Sequence, residues 1–112
     1  MGVARAPTTL DPFNAVAEPK RRQLLETLGN QELPVNDIVE RLGWPQPMIS
    51  KHLGVLKKVG LVSERRVGRQ RVYRINPEPL KVIYDWVTPF ERSWNERMDR
   101  MDELLEKLKK EQ

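Results

Sequence analysis

Apolar residues in the first part of the chain recur at helical spacing. The pairs Asp11-Pro12 and Glu18-Pro19 are typical helix starts, because an acidic side chain caps the first free N–H groups and proline fits the first turn. They predict a short helix over residues 12–17 and a second, amphipathic helix that ends at Gly29-Asn30. The second helix buries one apolar face, formed by Leu24, Leu25 and Leu28.

Two further helices follow, separated by a tight turn that contains glycine. The third helix opens at Asn36-Asp37 and closes at Gly43, and the fourth covers residues 46–59 and ends at Gly60. Apolar side chains of the fourth helix fall every three or four residues and form one stripe that faces a core: Ile49, Leu53, Leu56 and Val59. This arrangement predicts a helix-turn-helix.

The pattern then changes to that of β-strands. Residues 61–67 and 71–75 are rich in β-branched and long side chains, and Gly68-Arg69-Gln70 lies between them. These features predict a β-hairpin with a three-residue loop.

The remainder of the chain is predicted to be helical. Because Pro89 starts or kinks a helix, we expect one helix near residues 80–87 and a longer one over residues 89–110. The longer helix carries an apolar stripe at spacings of three and four, which we expect to form a two-fold dimer seam together with Phe13 of the first helix. Packing against its own domain and lining a small-molecule pocket are the alternatives. The stripe consists of Phe90, Trp94, Met98, Met101, Leu105 and Leu108.

These elements predict an α+β fold that is mostly α: a winged helix-turn-helix with a two-stranded wing and a long C-terminal dimerisation helix. The 112 residues fit one domain. It consists of a flexible arm over residues 1–10, the winged helix-turn-helix over 11–87 and the dimerisation helix over 88–112. Because neither a secretory signal nor a membrane-spanning apolar run is present, we expect a cytoplasmic protein with no membrane partner.

Composition excludes several kinds of site. The chain has no cysteine and one histidine, His52, which excludes disulfides, cysteine nucleophiles and Cys-type zinc sites. Paired carboxylates in a recognisable motif, a glycine-rich phosphate loop and a nucleophile beside a base are also absent from the sequence. We therefore expect no catalytic site, no metal site and no cofactor.

The positive charge is concentrated in one segment. The chain has 20 Lys and Arg against 16 Asp and Glu, a net charge of +4. Residues 51–74 contain eight basic side chains and one acidic one, Glu64, so this segment alone has a net charge of +7. Basic residues clustered on a helix and a hairpin predict contacts with DNA phosphates.

The fourth helix and the hairpin supply the candidate DNA contacts. The first turns of a recognition helix reach base edges in the major groove, where Gln, Lys and Ser side chains hydrogen-bond. The hairpin carries Arg65, Arg66, Arg69 and Arg71, which cannot all be buried and which suit the minor groove or the flanking backbone. The predicted contacts are Gln46, Pro47, Ser50, Lys51, His52, Lys57, Arg66, Arg69 and Arg71.

Three segments resemble the ArsR/SmtB-type winged-helix transcriptional regulators. Residues 18–25 (EPKRRQLL) are similar to the second helix of that family, residues 49–62 (ISKHLGVLKKVGLV) to its recognition helix and following strand, and residues 66–75 (RVGRQRVYRI) to its wing. The resemblance covers residues 11–87. It implies a homodimeric repressor whose paired recognition helices bind a palindromic operator in double-stranded DNA.

The chain departs from this family pattern in two places. Many members sense metals through Cys or His, and this chain has only His52, so it resembles the non-metal-sensing, autorepressor-like branch. Pro45 stands where the family usually has a serine that caps the recognition helix.

A winged-helix protein-interaction adaptor and a small-molecule-responsive regulator are the alternative functions.

Overall fold

The computed structural model describes residues 10–111, so the arm predicted over residues 1–10 lies outside the described residues except for Leu10. The fold is mostly helical with one small sheet, and the predicted α+β winged helix-turn-helix class is confirmed. The elements follow one another as α1 (Pro12–Ala17), α2 (Pro19–Leu28), β1 (Leu33–Pro34), α3 (Val35–Leu42), α4 (Gln46–Lys58), β2 (Val62–Val67), β3 (Gln70–Ile75) and α5 (Glu78–Lys110).

The first two helices start where the sequence predicts. The Asp11 carboxylate accepts a hydrogen bond from the Asn14 backbone N–H at 2.8 Å, and the Glu18 carboxylate accepts one from the Lys20 N–H at 3.4 Å. A proline occupies the first turn of each helix. Helix α2 ends at Gly29, whose φ of 53° belongs to the left-handed region that favours glycine.

Two arginines of α2 close the C-terminal end of α1. Arg21 donates from Nε to the Ala15 carbonyl oxygen at 2.6 Å, and Arg22 donates from Nη1 to the Val16 carbonyl oxygen at 2.7 Å. Each arginine donates a second, longer hydrogen bond: Arg21 to the Asn14 carbonyl oxygen and Arg22 to the Ala17 carbonyl oxygen. The last carbonyl groups of a helix have no donor within it, so these guanidinium groups provide the donors that α1 lacks.

The sheet has three antiparallel strands in the order β1-β3-β2. The wing is the β2–β3 hairpin, and Val67 pairs with Gln70, which leaves Gly68 and Arg69 as a two-residue turn. The prediction of a three-residue loop is therefore wrong by one residue, because Gln70 already belongs to β3. Gly68 has a φ of 63°, as tight hairpin turns require at this position. Strand β1 was not predicted.

The core lies within residues 10–81, where α1 to α4 pack together with the sheet. The predicted stripe of α4 is central to it, and three of its side chains are fully buried: Ile49, Leu53 and Leu56. Val59 follows the end of α4 and packs against the core while partly exposed. The other fully buried large side chains are Leu24, Leu28, Ile38 and Leu61, with Val62 almost fully buried.

Helix α5 is continuous, so the prediction of two helices separated near Pro89 is wrong. Pro89 lies inside the helix, where it removes one N–H donor and leaves the Asp85 carbonyl without its usual partner. Because both residues are exposed, water is available to that carbonyl. The Thr88 hydroxyl donates to the Tyr84 carbonyl oxygen at 2.6 Å. Residues 82–111 form a second compact unit.

Candidate nucleic-acid interface

The first turns of α4 present a polar face. The helix starts at Gln46 as predicted, with Pro45 at the N-cap and no side chain capping it. The apolar stripe of α4 is buried, and this places the residues between the stripe positions at the surface. The four residues predicted to share the exposed face do so: Gln46, Pro47, Ser50 and Lys51 are all exposed.

His52 lies at the border of the buried stripe and is only partly exposed. Its Nδ1 is enclosed and has no hydrogen-bond partner among the residues that the structure describes. Burial lowers the pKa of the His52 imidazole below its ordinary value of 6.5, and the nearby Arg21 guanidinium lowers it further. His52 therefore favours its neutral form in the folded chain.

The two faces of the wing differ because successive side chains of a strand point in opposite directions. Glu64 and Tyr73 are directly paired across the hairpin and share one face, and Arg66 pairs with Arg71 on the same face. Arg65 lies on the opposite face. Alternation thus separates the arginines of the hairpin into two groups.

A groove runs between α4 and the wing. Its helical side is part of the exposed face of α4, and its other side consists of Glu64 of β2, the hairpin turn and β3. The N-terminus of α3 contributes Asn36. The polar and glycine residues that line the groove are Asn36, Gln46, Ser50, Gly54, Lys57, Glu64, Arg69, Gln70, Arg71 and Tyr73.

The groove brings together five of the nine predicted contacts: Gln46, Ser50, Lys57, Arg69 and Arg71. Pro47 and Lys51 are exposed on α4 next to the groove without lining it, His52 is half-buried, and Arg66 is exposed on the wing without lining the groove. The other polar and glycine residues of the groove are not among the predicted contacts: Asn36, Gly54, Glu64, Gln70 and Tyr73. The local pattern predicts a helix start at Asn36 and a loop position for Gln70, and only the packing of α4 against the sheet shows that they line the same groove.

Glu64 is the acidic residue within this groove. Its Oε2 accepts a hydrogen bond from the Tyr73 hydroxyl at 2.5 Å, and its Oε1 lies 3.4 Å from the Lys57 Nζ. The Tyr73 hydroxyl and the Lys57 ammonium hold the pKa of the Glu64 carboxyl below its usual value of 4.5. Burial and the same hydrogen bond raise the pKa of Tyr73 to about 12, so its hydroxyl stays protonated.

A further cation lies beside the N-terminal turn of α4. The Lys20 ammonium is 5.9 Å from the centroid of the Trp44 ring and 3.3 Å from the Met48 sulfur. A cation above an indole ring is electrostatically favourable, so these contacts favour this position of the exposed lysine. Lys20 was not among the predicted contacts, since its position in α2 is separated from α4 in sequence.

This chain lacks the Cys and His ligands that metal-sensing members of the resembled family use. It has no cysteine, and His52 is its one imidazole. Within residues 10–111, moreover, no three His, Asp or Glu side chains cluster as metal ligands. A transition-metal site of Cys and His ligands cannot be assembled from these residues.

A family model described as "Bacterial regulatory protein, arsR family" matches residues 18–64, from the N-cap of α2 to Glu64 of the wing. The transcriptional repressor SdpR of Bacillus subtilis is 32% identical over 78 residues, which cover 70% of this chain and 87% of SdpR. The chain belongs to the ArsR family. The HTH-type transcriptional regulator Rv2034 of Mycobacterium tuberculosis is 31% identical over 94 residues, covering 84% of this chain and 85% of that protein.

Solved structures of ArsR-family regulators share the fold. A possible transcriptional regulator for arsenical resistance matches with a TM-score of 0.66 and 36% identity, over 73% of this chain and 85% of that one. An ArsR-like transcriptional regulator from Rhodococcus sp. RHA1 matches with a TM-score of 0.65 and 26% identity, over 84% of this chain and 86% of that one. This ArsR-family chain is a DNA-binding transcriptional regulator. Among its described residues, no helix has the length and apolar character needed to cross a membrane.

Proposed function

We propose that this ArsR-family regulator acts as a homodimeric repressor. Each protomer inserts α4 into the major groove of a palindromic operator and places its wing against the flanking backbone. We assign this function to two parts of the chain, the winged helix-turn-helix of residues 11–87 and a dimerisation segment over residues 88–112, whose helical part belongs to α5. Occupation of the operator blocks polymerase at the promoter.

The observation that carries the DNA-binding role is the groove between α4 and the wing. It places Gln46 and Ser50, whose side chains hydrogen-bond to base edges, beside the cations Arg69 and Arg71. Lys51, exposed on the same helix, supplies a further group for a guanine or a phosphate. Base-reading and phosphate-binding groups thus face one continuous surface, as sequence-specific DNA binding requires.

The apolar face of α5 supports the dimer. Its six stripe residues are each between 40% and 63% exposed in the single chain: Phe90, Trp94, Met98, Met101, Leu105 and Leu108. An apolar stripe of this length at helical spacing is typical of a helix that packs against another helix. A second copy of α5 provides a matching apolar stripe, with Phe13 of α1 at the edge of the seam. The two recognition helices then enter successive major grooves about 34–36 Å apart.

Site selection on random duplex DNA, followed by titration of the recovered sequence, tests this function. We expect one enriched palindrome, a stoichiometry of two chains per duplex, and affinity that falls steeply with salt. No enrichment, together with weak binding that is the same for every duplex, would contradict operator recognition.

The same experiment distinguishes the proposed repressor from the two alternatives, a protein-interaction adaptor and a small-molecule-responsive regulator. An adaptor yields no enriched sequence. A ligand-responsive regulator yields an enriched palindrome whose affinity changes when the ligand is added.

A further inference from the structure

We propose that Glu64 limits the phosphate affinity of the DNA-binding groove by withholding Lys57. The Glu64 carboxylate competes with DNA phosphates for the Lys57 ammonium, so one cation of the groove contributes less than its full charge to DNA binding. This inference rests on the proposed function, because it assigns a role within the same groove. Glu64 acts through Lys57 and is a positioning residue.

The geometry engages both oxygens of the Glu64 carboxylate. One oxygen accepts from the Tyr73 hydroxyl of β3 at 2.5 Å, and the other lies 3.4 Å from the Lys57 Nζ of α4. The Glu64 side chain is 22% exposed, whereas that of Lys57 is 54% exposed. The carboxylate is therefore fixed between the wing and the recognition helix, and Lys57 is the partner that reaches solvent.

The charge pattern makes Glu64 unusual. It is the one acidic residue among residues 51–74, a segment with eight basic side chains. Solubility does not require an acid at this position, and DNA repels it. Tyr73 keeps its proton at neutral pH and Glu64 stays ionised, so the carboxylate retains its attraction for Lys57 when phosphates approach.

The expected effect of a competing carboxylate is the same for every DNA sequence. Phosphate contacts add affinity without regard to sequence, and each neutralised phosphate contributes a slope of about −0.9 to the dependence of log affinity on log salt. If Glu64 holds Lys57, its removal restores up to one such contact. It leaves the base contacts of Gln46 and Ser50 unchanged.

The test is Glu64→Gln in the full chain, titrated by fluorescence anisotropy against the selected operator and a random-sequence duplex over about 0.05–0.2 M salt. We expect the slope to become steeper by up to about 0.9 and the affinity for both duplexes to rise by up to about eight-fold at 0.1 M salt, the factor that this slope implies. Glutamine still accepts from the Tyr73 hydroxyl, so the wing keeps its position. Glu64→Ala has the same expected sign and guards against a folding defect particular to glutamine.

Glu32→Gln is the matched control. It removes the same charge and releases a cation, Arg65, from an ion pair on the opposite face of the sheet. We expect it to leave the salt slope and both affinities unchanged. Adding Lys57→Gln to Glu64→Gln should remove the gain, because the released cation is then absent.

Three outcomes would overturn the role of Glu64. An unchanged or flatter salt slope in Glu64→Gln would show that Glu64 only stabilises the fold. A loss of affinity in Glu64→Gln for the operator alone would show that Glu64 contacts a base. An equal gain of affinity in Glu32→Gln would show that the effect comes from net charge. If the wild-type chain binds neither duplex, both the proposed DNA-binding groove and the role of Glu64 are wrong. If the wild-type chain binds and the Glu64→Gln variant has an unchanged salt slope, only the role of Glu64 is wrong.

Discussion

Arg65 forms a two-point ion pair with Glu32 on the face of the sheet opposite to the groove. Its Nη2 lies 3.2 Å from Glu32 Oε2, and its Nε bonds to Oε1 of the same carboxylate. The guanidinium holds the pKa of the Glu32 carboxyl below its usual value. The hairpin therefore has one face that carries Arg74 and the already paired Arg65, and another face that carries Arg66 and Arg71 and borders the groove.

We expect Arg69→Ala to weaken binding to every DNA sequence and to reduce the salt slope by about 0.9, because Arg69 at the hairpin turn contributes one phosphate contact. Arg65→Ala is the control, since it removes the same charge from the opposite face and should leave the slope unchanged. Salt titrations of both variants on a random-sequence duplex measure the difference. Equal slopes for Arg69→Ala and the wild type would exclude the wing turn from phosphate contact.

Lys51→Ala should weaken operator binding by about 1–3 kcal/mol, because an exposed lysine near the start of a recognition helix hydrogen-bonds to a base. The loss should be specific to one base pair and disappear on duplexes in which that pair is changed. Lys109→Ala removes the same charge from the end of α5 and should leave the operator affinity unaltered. An equal loss on all duplexes would show that Lys51 binds phosphate.

Trp94→Glu should convert the dimer into monomers, because Trp94 is 63% exposed in the single chain and a carboxylate in the middle of an apolar seam is costly to bury. Sedimentation velocity measures the outcome. Asn95→Glu introduces the same charge one residue further along α5, where Asn95 borders a polar depression with Glu96 and Asp99, and should leave the dimer intact. A Trp94→Glu chain that still sediments as a dimer would contradict the seam.

Neighbouring substitutions in α4 should change stability in opposite directions. Leu53 is fully buried, and Leu53→Ala should lower the free energy of unfolding by about 2–5 kcal/mol through lost packing and a cavity. Gly54 is exposed, and a Cβ at this position meets no atom within 4 Å. Gly54→Ala should therefore raise stability by about 0.5–1 kcal/mol. Urea titrations at one protein concentration measure both, and a stabilised Leu53→Ala would refute the placement of the core.

Stability should fall as the pH drops through 6.5 because of His52. The unfolded chain protonates this imidazole near its ordinary pKa of 6.5, whereas burial and Arg21 lower the pKa in the folded chain. The unfolded state therefore binds more protons in this window, so stability rises with pH. Urea unfolding between about pH 5 and 8 should show this slope in the wild type and a flatter one in His52→Gln. Glu32 and Glu64, whose pKa values lie below 4.5, lose their stabilising ionisation only at lower pH.

The sequence was sufficient for most of the helices. Asp11 and Glu18 each precede a proline, so α1 and α2 begin at the predicted residues, and the glycines at 29 and 43 follow the last residues of α2 and α3. Helix α3 begins at Val35, one residue before the predicted start, and α4 ends at Lys58, one residue early. Local capping chemistry fixes the starts of α1 and α2 and the ends at Gly29 and Gly43, and it is visible in the sequence.

Long-range packing was not visible in the same way. Strand β1 has two residues, too few for any period, and it exists because Leu33 pairs with Tyr73 of β3. The partner of Arg65 is Glu32, 33 residues earlier, so nothing in the local pattern separates Arg65 from the other hairpin arginines. The continuity of α5 through Pro89 depends on exposure of the carbonyl that proline leaves unpaired, which the pattern does not report.

The bonds from Arg21 and Arg22 to the end of α1 make that helix dependent on α2. A helix of six residues does not persist by itself in water, since nucleation costs more than so few hydrogen bonds return. Its carbonyl end is held by side chains of the next helix. When α2 opens, α1 loses these donors at the same moment, so the two helices form one cooperative unit of local unfolding.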